Sequence, residues 1–207
     1  MRNGWNENRA LLQGRAVAPP IFSHENHGMT YWVFPLEVKR LSGAEDRVNI
    51  LLPGSLLDQQ AVAAGTGLAV EGEVRSFNNR GGQGSRLIIS LYAKTMGPWS
   101  GEDLNQLTLA GALCKPPVLR RTPLGREICD LMLAVNRRYG RADYLPCIAW
   151  GSLAERCGAL QVGDGLRVEG RFQSRKYNKV ESGEPQERTA YEISVMSLQP
   201  LTEEKNE

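Results

Sequence analysis

The sequence predicts an all-β chain of two tandem five-stranded barrels, each with a short helix between its third and fourth strands. Three observations carry this reading. The 207 residues exceed one small barrel and suit two domains of about 100 residues each. The 22 Gly and 11 Pro favour many turns and short strands. The second half also repeats the first in order, and a repeat sets the architecture before any strand is assigned.

The repeat begins with Asn8-Arg9-Ala10-Leu11-Leu12-Gln13-Gly14 followed by Pro19-Pro20, which returns as Asn105-Gln106-Leu107-Thr108-Leu109-Ala110-Gly111 followed by Pro116-Pro117. Gly54-Ser55-Leu56 returns as Gly151-Ser152-Leu153, and Gly65-Thr66-Gly67-Leu68-Ala69-Val70-Glu71-Gly72 as Gly163-Asp164-Gly165-Leu166-Arg167-Val168-Glu169-Gly170. The spacing widens before Ile193-Ser194-Val195, the counterpart of Ile89-Ser90-Leu91. The last hairpin of the second copy is therefore longer.

Within the second copy the expected strands are 105–114, 126–138, 143–150, 165–176 and 187–198, with a helix near 152–160. Leu131, Leu133 and Val135 alternate with Met132, Ala134 and Asn136, as a barrel strand with one apolar face requires. Ser152 is placed to cap the helix, with Glu155 completing a capping box. The domain plan is 1–96, a Gly/Pro/Ser-rich acidic linker at 97–104, a second domain at 105–200 and a short acidic tail at 201–207.

Composition narrows the class. Hydrophobic content of 41% and a net charge of +2 fit a soluble globular protein, with the second copy mildly basic. No run approaches the roughly 18 apolar residues of a membrane span, so the expected location is the cytoplasm. Cys114, Cys129, Cys147 and Cys157 lack zinc-ribbon or CxxC spacing and read as reduced, buried small hydrophobes. His24 and His27, the only histidines, lie in a predicted loop without an evident fourth ligand, so neither metal nor cofactor is expected. No paired carboxylates or Walker-type phosphate loop support catalysis.

Five strands with a helix between the third and fourth is the OB arrangement, which binds oligonucleotides across strands 2 and 3 and between the 1–2 and 4–5 loops. In the second copy those places hold Arg137-Arg138-Tyr139, Tyr144, Trp150 and Arg175-Lys176-Tyr177. Tyr144 and Trp150 are six apart and share a face of a period-2 strand, while Leu145, Cys147 and Ala149 face the core and Ile148 breaks the alternation. Strict alternation from Leu133 turns Tyr139 inward unless the turn at Gly140 frees it. Exposed rings suit single strands because every base has a π-face, and stacking gives about 1–3 kcal/mol per base.

Leu109-Ala110-Gly111, Leu133-Ala134-Val135-Asn136-Arg137, Trp150-Gly151-Ser152-Leu153-Ala154-Glu155, Val168-Glu169-Gly170-Arg171, Ser174-Arg175-Lys176-Tyr177 and Thr189-Ala190-Tyr191-Glu192 carry a resemblance. Through them the second half resembles the bacterial single-stranded DNA-binding protein family nearly end to end. The resemblance implies base stacking on Tyr139, Tyr144, Trp150 and Tyr177, with Arg137, Arg171, Arg175 and Lys176 contacting the strand. It also implies a homodimer presenting four OB domains, and a role on the nucleoid in DNA replication, repair or recombination. The family's Pro-Phe tail tip is missing from Leu201-Thr202-Glu203-Glu204-Lys205-Asn206-Glu207. That absence leaves open a primosomal-type adaptor whose main ligand is another protein.

The first copy diverges. The four aromatic positions fall there on Ser42, Arg47, Pro53 and Asn79. Its expected work is packing, dimerisation or phosphate contact, the last by Arg75, Arg80 and Arg86 around Gly81-Gly82-Gln83-Gly84. Trp32, Phe34 and Phe77 offer a relocated platform, although rings on strands usually belong to the core.

Overall fold

The structure is a computed structural model that describes residues 7–78, 87–181 and 184–201, without the side chains of 178–188. Asn79, Arg80, Gly81-Gly82-Gln83-Gly84, Arg86 and the tail beyond Leu201 lie outside the described residues. The chain divides into two compact units, one of Arg9–Gln106 with Phe172–Tyr191, the other of Met1–Asn8 with Leu107–Arg171 and Glu192–Glu207. Each unit contains one barrel.

Barrel one is built from β1 (Asn8–Ala16), β3 (Met29–Lys39), β4 (Glu45–Pro53), β5 (Gly67–Asn78) and β6 (Leu87–Pro98), with α1 (Gly54–Leu57) between β4 and β5. β1 pairs with both β5 and β3, β5 with β6 and β3 with β4, all antiparallel, and a parallel β4–β6 rung closes the ring. Barrel two repeats the plan with β7 (Leu104–Leu113), β9 (Glu127–Asn136), β10 (Ala142–Trp150), α2 (Ser152–Gly158), β11 (Gly165–Glu181) and β12 (Glu184–Pro200). Its closing rung is the parallel β10–β12 pair. These are OB barrels, as the repeat predicts.

One strand must serve two partners in each ring, and a glycine makes that bend possible. A Cβ on Gly14 of β1 would meet the Glu37 carbonyl oxygen at 2.2 Å, and one on Gly111 of β7 the Ala134 oxygen at 2.4 Å. Only a residue without a side chain lets the backbones come so close. Leu12, Phe34, Leu36, Ile50, Leu52 and Leu91 fill barrel one, and Leu109, Leu113, Leu133, Leu145 and Phe172 are buried as well. Each such side chain contributes about 1.5–3 kcal/mol on burial.

Three features differ from the sequence-based reading. Each copy has an extra edge strand, β2 (Ile21–Asn26) on β3 and β8 (Val118–Arg121) on β9. Both are exposed along their whole length, so they carry no alternation to detect. Ser152 does not cap α2: it is the first helical residue, the cap is Gly151 at φ 59° and ψ −136°, and no side-chain cap bond forms. The chain must turn sharply where β10 ends, and only glycine tolerates that backbone.

The third difference concerns boundaries. β11 and β12 have 17 residues each against 12 for β5 and β6, so the long hairpin outruns its barrel, and Phe172–Tyr191 belongs to the unit of barrel one. There the Arg47 amide donates to Ser174 Oγ at 3.0 Å and the Ser174 amide to Asp46 Oδ1 at 3.0 Å. The segment expected as a linker is tied down in the same unit, with Trp99 N donating to Gly67 O at 3.0 Å and Lys39 N to Asp103 Oδ2 at 2.8 Å. Glu7 goes to the other unit, where it pairs with Arg167 at 2.8 Å.

Cys129, Cys147 and Cys157 are buried and Cys114 half-buried, all as free thiols. Burial raises the pKa of each, in the case of Cys157 to about 11. Among the described residues no cluster of His, Cys, Asp and Glu fits a metal, and no helix is long and apolar enough to cross a membrane.

Candidate nucleic-acid interface

β10 sets out the first part of the candidate interface by its pleat. Asp143, Leu145, Cys147, Ile148 and Ala149 are buried, whereas Tyr144 is 53% and Trp150 39% exposed. Ile148 breaks the alternation inward, as its position in the sequence suggests, and both rings stay on the solvent side. β9 supplies the neighbouring rungs, with Tyr144 opposite Ala134 and Trp150 opposite Ile128. Small and buried partners leave the rings standing above the sheet.

Tyr139 escapes the inward turn. β9 stops at Asn136, and a short 3-10 turn over Arg138–Gly140 places Tyr139 at φ 64°, with 97% of it exposed. Arg138 and Arg141, on either side, are also exposed. The sequence already places Arg138 beside Tyr139 at the end of the second strand, whereas Arg141 was not singled out, and its signal was its place beside a ring in a turn.

Arg137 is engaged otherwise. Its Nε donates to Asp143 Oδ2 at 2.5 Å and its Nη2 to Asp143 Oδ1, and Asp143 is fully buried. A carboxylate in that position demands a cation, so Arg137 serves the fold before any phosphate. The repeat has the same device in barrel one, where Arg40 grips the fully buried Asp46 with Nε at 2.6 Å and Nη2 at 2.5 Å. Asp46 holds the Arg40 guanidinium above its ordinary pKa.

Arg171 is half-buried on β11, while Arg175 and Lys176 are exposed. Arg175 lies over the half-buried Tyr177 ring at 5.8 Å, a cation–π arrangement. Arg175, Lys176 and Tyr177 fall in the unit of barrel one, Tyr139, Tyr144, Trp150, Arg137 and Arg171 in the other. The structure thus brings Tyr144 and Trp150 onto one strand face and assigns Tyr177 to a different compact unit.

On barrel one Arg47, the counterpart of Tyr144, pairs through Nε with Glu37 at 3.0 Å. Phe34 is fully buried and Trp32 half-buried, its ring edge-on to Phe22 at 5.8 Å. Phe77 is 38% exposed. The three rings considered for a relocated platform therefore divide: Phe34 is core, and Phe77 reaches solvent. His24 is stacked on Tyr31 with centroids 4.7 Å apart.

Residues 104–201 match the model of the Single-strand binding protein family. The chain is 36% identical over 110 residues to single-stranded DNA-binding protein A of Bacillus subtilis, covering 50% of this chain and 62% of that protein. It is 34% identical over 110 residues to single-stranded DNA-binding protein 3 of Listeria innocua, covering 50% of this chain and 67% of that protein. The chain thus spans somewhat over half the length of these relatives. The crystal structure of the wild-type single-stranded DNA binding protein from Thermus aquaticus is similar along nearly the whole chain, with TM-score 0.78, 26% identity, and 97% and 95% of the two chains covered.

Proposed function

We propose that this chain, which belongs to the Single-strand binding protein family, coats single-stranded DNA with little regard to sequence during replication, repair or recombination. The observation that carries this is on β10: two large rings six residues apart are exposed while Asp143, Leu145, Cys147, Ile148 and Ala149 are buried. Two large rings exposed together on one strand face form a surface suited to flat ligands such as bases.

Bases stack on Tyr144 and Trp150 and on Tyr139 of the same unit, and Tyr177 offers a further ring. Every base presents a π-face, so stacking discriminates little and contributes about 1–3 kcal/mol per base. Arg138, Arg141, Arg175 and Lys176 neutralise phosphates, and Arg171 adds charge from β11. Arg137 holds its loop in place through Asp143. The protein works as a homodimer, giving four OB barrels, in the cytoplasm and on the nucleoid. It needs no cofactor and carries out no chemical step.

Titration with oligo-dT at low salt tests this. Tyrosine and tryptophan fluorescence is quenched to saturation, and log K falls with log[salt] by about 0.7 per phosphate neutralised. Unchanged fluorescence at saturating oligo-dT overturns the proposal. Mass in solution checks the assembly against twice the chain mass of 22.9 kDa.

A further inference from the structure

We propose that barrel one has its own contact site for single-stranded DNA, on positions the repeat does not carry over: His24 stacked on Tyr31, Tyr92 with Lys94 and Arg75, and Phe77. The inference rests on the reading that barrel two stacks bases on Tyr144 and Trp150.

Register shows how the ring has moved. In barrel two the aromatic Trp150 faces the aliphatic Ile128 across the β9–β10 ladder. In barrel one the rung made by the repeat counterparts of those residues pairs Tyr31 with Pro53. The ring has crossed to the partner strand. Directly opposed residues share a face of the sheet, so the exchange keeps aromatic surface at the same place on the barrel. Comparing residue types position by position misses this, because it asks only what stands at Pro53.

What surrounds Tyr31 has the two components a single strand requires. The exposed His24 ring lies flat on Tyr31, at 4.7 Å and an interplanar angle of 9°, leaving Tyr31 only 8% exposed. The outer face of the imidazole is thus the top of a two-ring stack. Tyr31 meets Tyr92 of β6 at 6.3 Å, and over Tyr92 lie Lys94 at 4.9 Å and Arg75 at 6.0 Å. Glu73 pairs with both cations. Phe77 follows Arg75 by two residues on β5, hence on the same face, and is two residues short of Asn79, the counterpart of Tyr177.

The long hairpin bonds to the other half of this face. At Arg47 and Asn49 the long hairpin is seated, through the Arg47 amide to Ser174 Oγ and through Tyr191 to the Asn49 side chain. Arg47, the counterpart of Tyr144, stays exposed and paired with Glu37, and the rungs at Leu51 and Pro53, beside Tyr92 and Tyr31, continue the face beyond it. Flat rings interleaved with cations fit bases interleaved with phosphates better than they fit a folded protein surface.

The experiment compares short and long oligo-dT on the full-length protein. His24→Ala with Phe77→Ala removes two exposed rings and leaves Tyr31 and the core in place, with the thermal melt confirming the fold. The expected result is unchanged affinity for an oligomer too short to leave barrel two, about 10-fold weaker binding of a long one, and a smaller number of nucleotides covered per chain. Lys94→Ala lowers the salt slope on the long oligomer by about 0.7. If long-oligomer affinity, covered length and salt slope all stay at wild-type values, the proposal is overturned and the face is left to a protein partner. Failure of the wild-type protein to bind any oligomer overturns the function proposed for the whole chain, and this inference with it.

Discussion

Barrels one and two share a skeleton and differ on its surface. Arg40–Asp46 and Arg137–Asp143 occupy corresponding places, with both carboxylates fully buried. Gly14 and Gly111 permit the same bend of the first strand. Tyr144 and Trp150, by contrast, answer to Arg47 and Pro53. Parts that a barrel needs in order to close persist through the repeat. Parts that meet a ligand diverge, because the fold is indifferent to them.

The largest expected effect tests the shared part. Arg137→Ala and Arg40→Ala each leave a buried carboxylate without its guanidinium and lower stability by about 3–5 kcal/mol. Urea unfolding measures this, and a loss under about 1 kcal/mol in either variant would deny that variant's pair its role in the fold. Arg138→Ala with Arg141→Ala serves as the contrast, weakening oligo-dT binding while the unfolding midpoint stays at the wild-type value.

The next test addresses the surface. Trp150→Ala costs about 1–3 kcal/mol of binding free energy, or roughly 5- to 150-fold in Kd. Trp32→Ala, which removes a half-buried ring, changes short-oligomer affinity much less. Equal losses would refute the claim that barrel two carries the main stacking platform.

A smaller effect follows from the thiols, all of which lie in the second copy. Burial raises their pKa and keeps them protonated at neutral pH, so a thiol reagent such as DTNB modifies the half-buried Cys114 slowly and the other three only on unfolding. Thiol release in rising urea then reports on barrel two alone. Rapid reaction of two or more thiols in the native protein would count against the packing described.

The smallest effect is on pH. Arg167, then Ser197, holds the Glu169 carboxylate below its usual range. Its folded-state pKa is lowered, so the stability it contributes is present above the ordinary carboxylate pKa and is lost as pH falls through the lowered value. Glu169→Gln removes that contribution, and the gap in Tm between wild type and variant closes as pH drops below about 4. A gap that widens under acid would reverse the assignment.

Much of this was legible in the sequence. The alternation of Leu131, Leu133 and Val135 places β9, and the spacing of Tyr144 and Trp150 places two rings on one face, since both follow from the period of a strand. The longer final hairpin is visible as a widening of the repeat. The resemblance to single-stranded DNA-binding proteins is carried by motifs spread over the whole second half.

What the sequence by itself determined is the pair of barrels, their strand order and the strand of the second that exposes two rings on one face, because period and repeat are local properties of the chain. Tertiary structure decided the rest. It gave Arg137 to Asp143, freed Tyr139 through a turn at positive φ, placed Phe172–Tyr191 in the unit of barrel one and set Tyr31 opposite Pro53. Each of these depends on which residues meet across strands or at the end of a hairpin, and contacts between distant residues leave no period in the sequence.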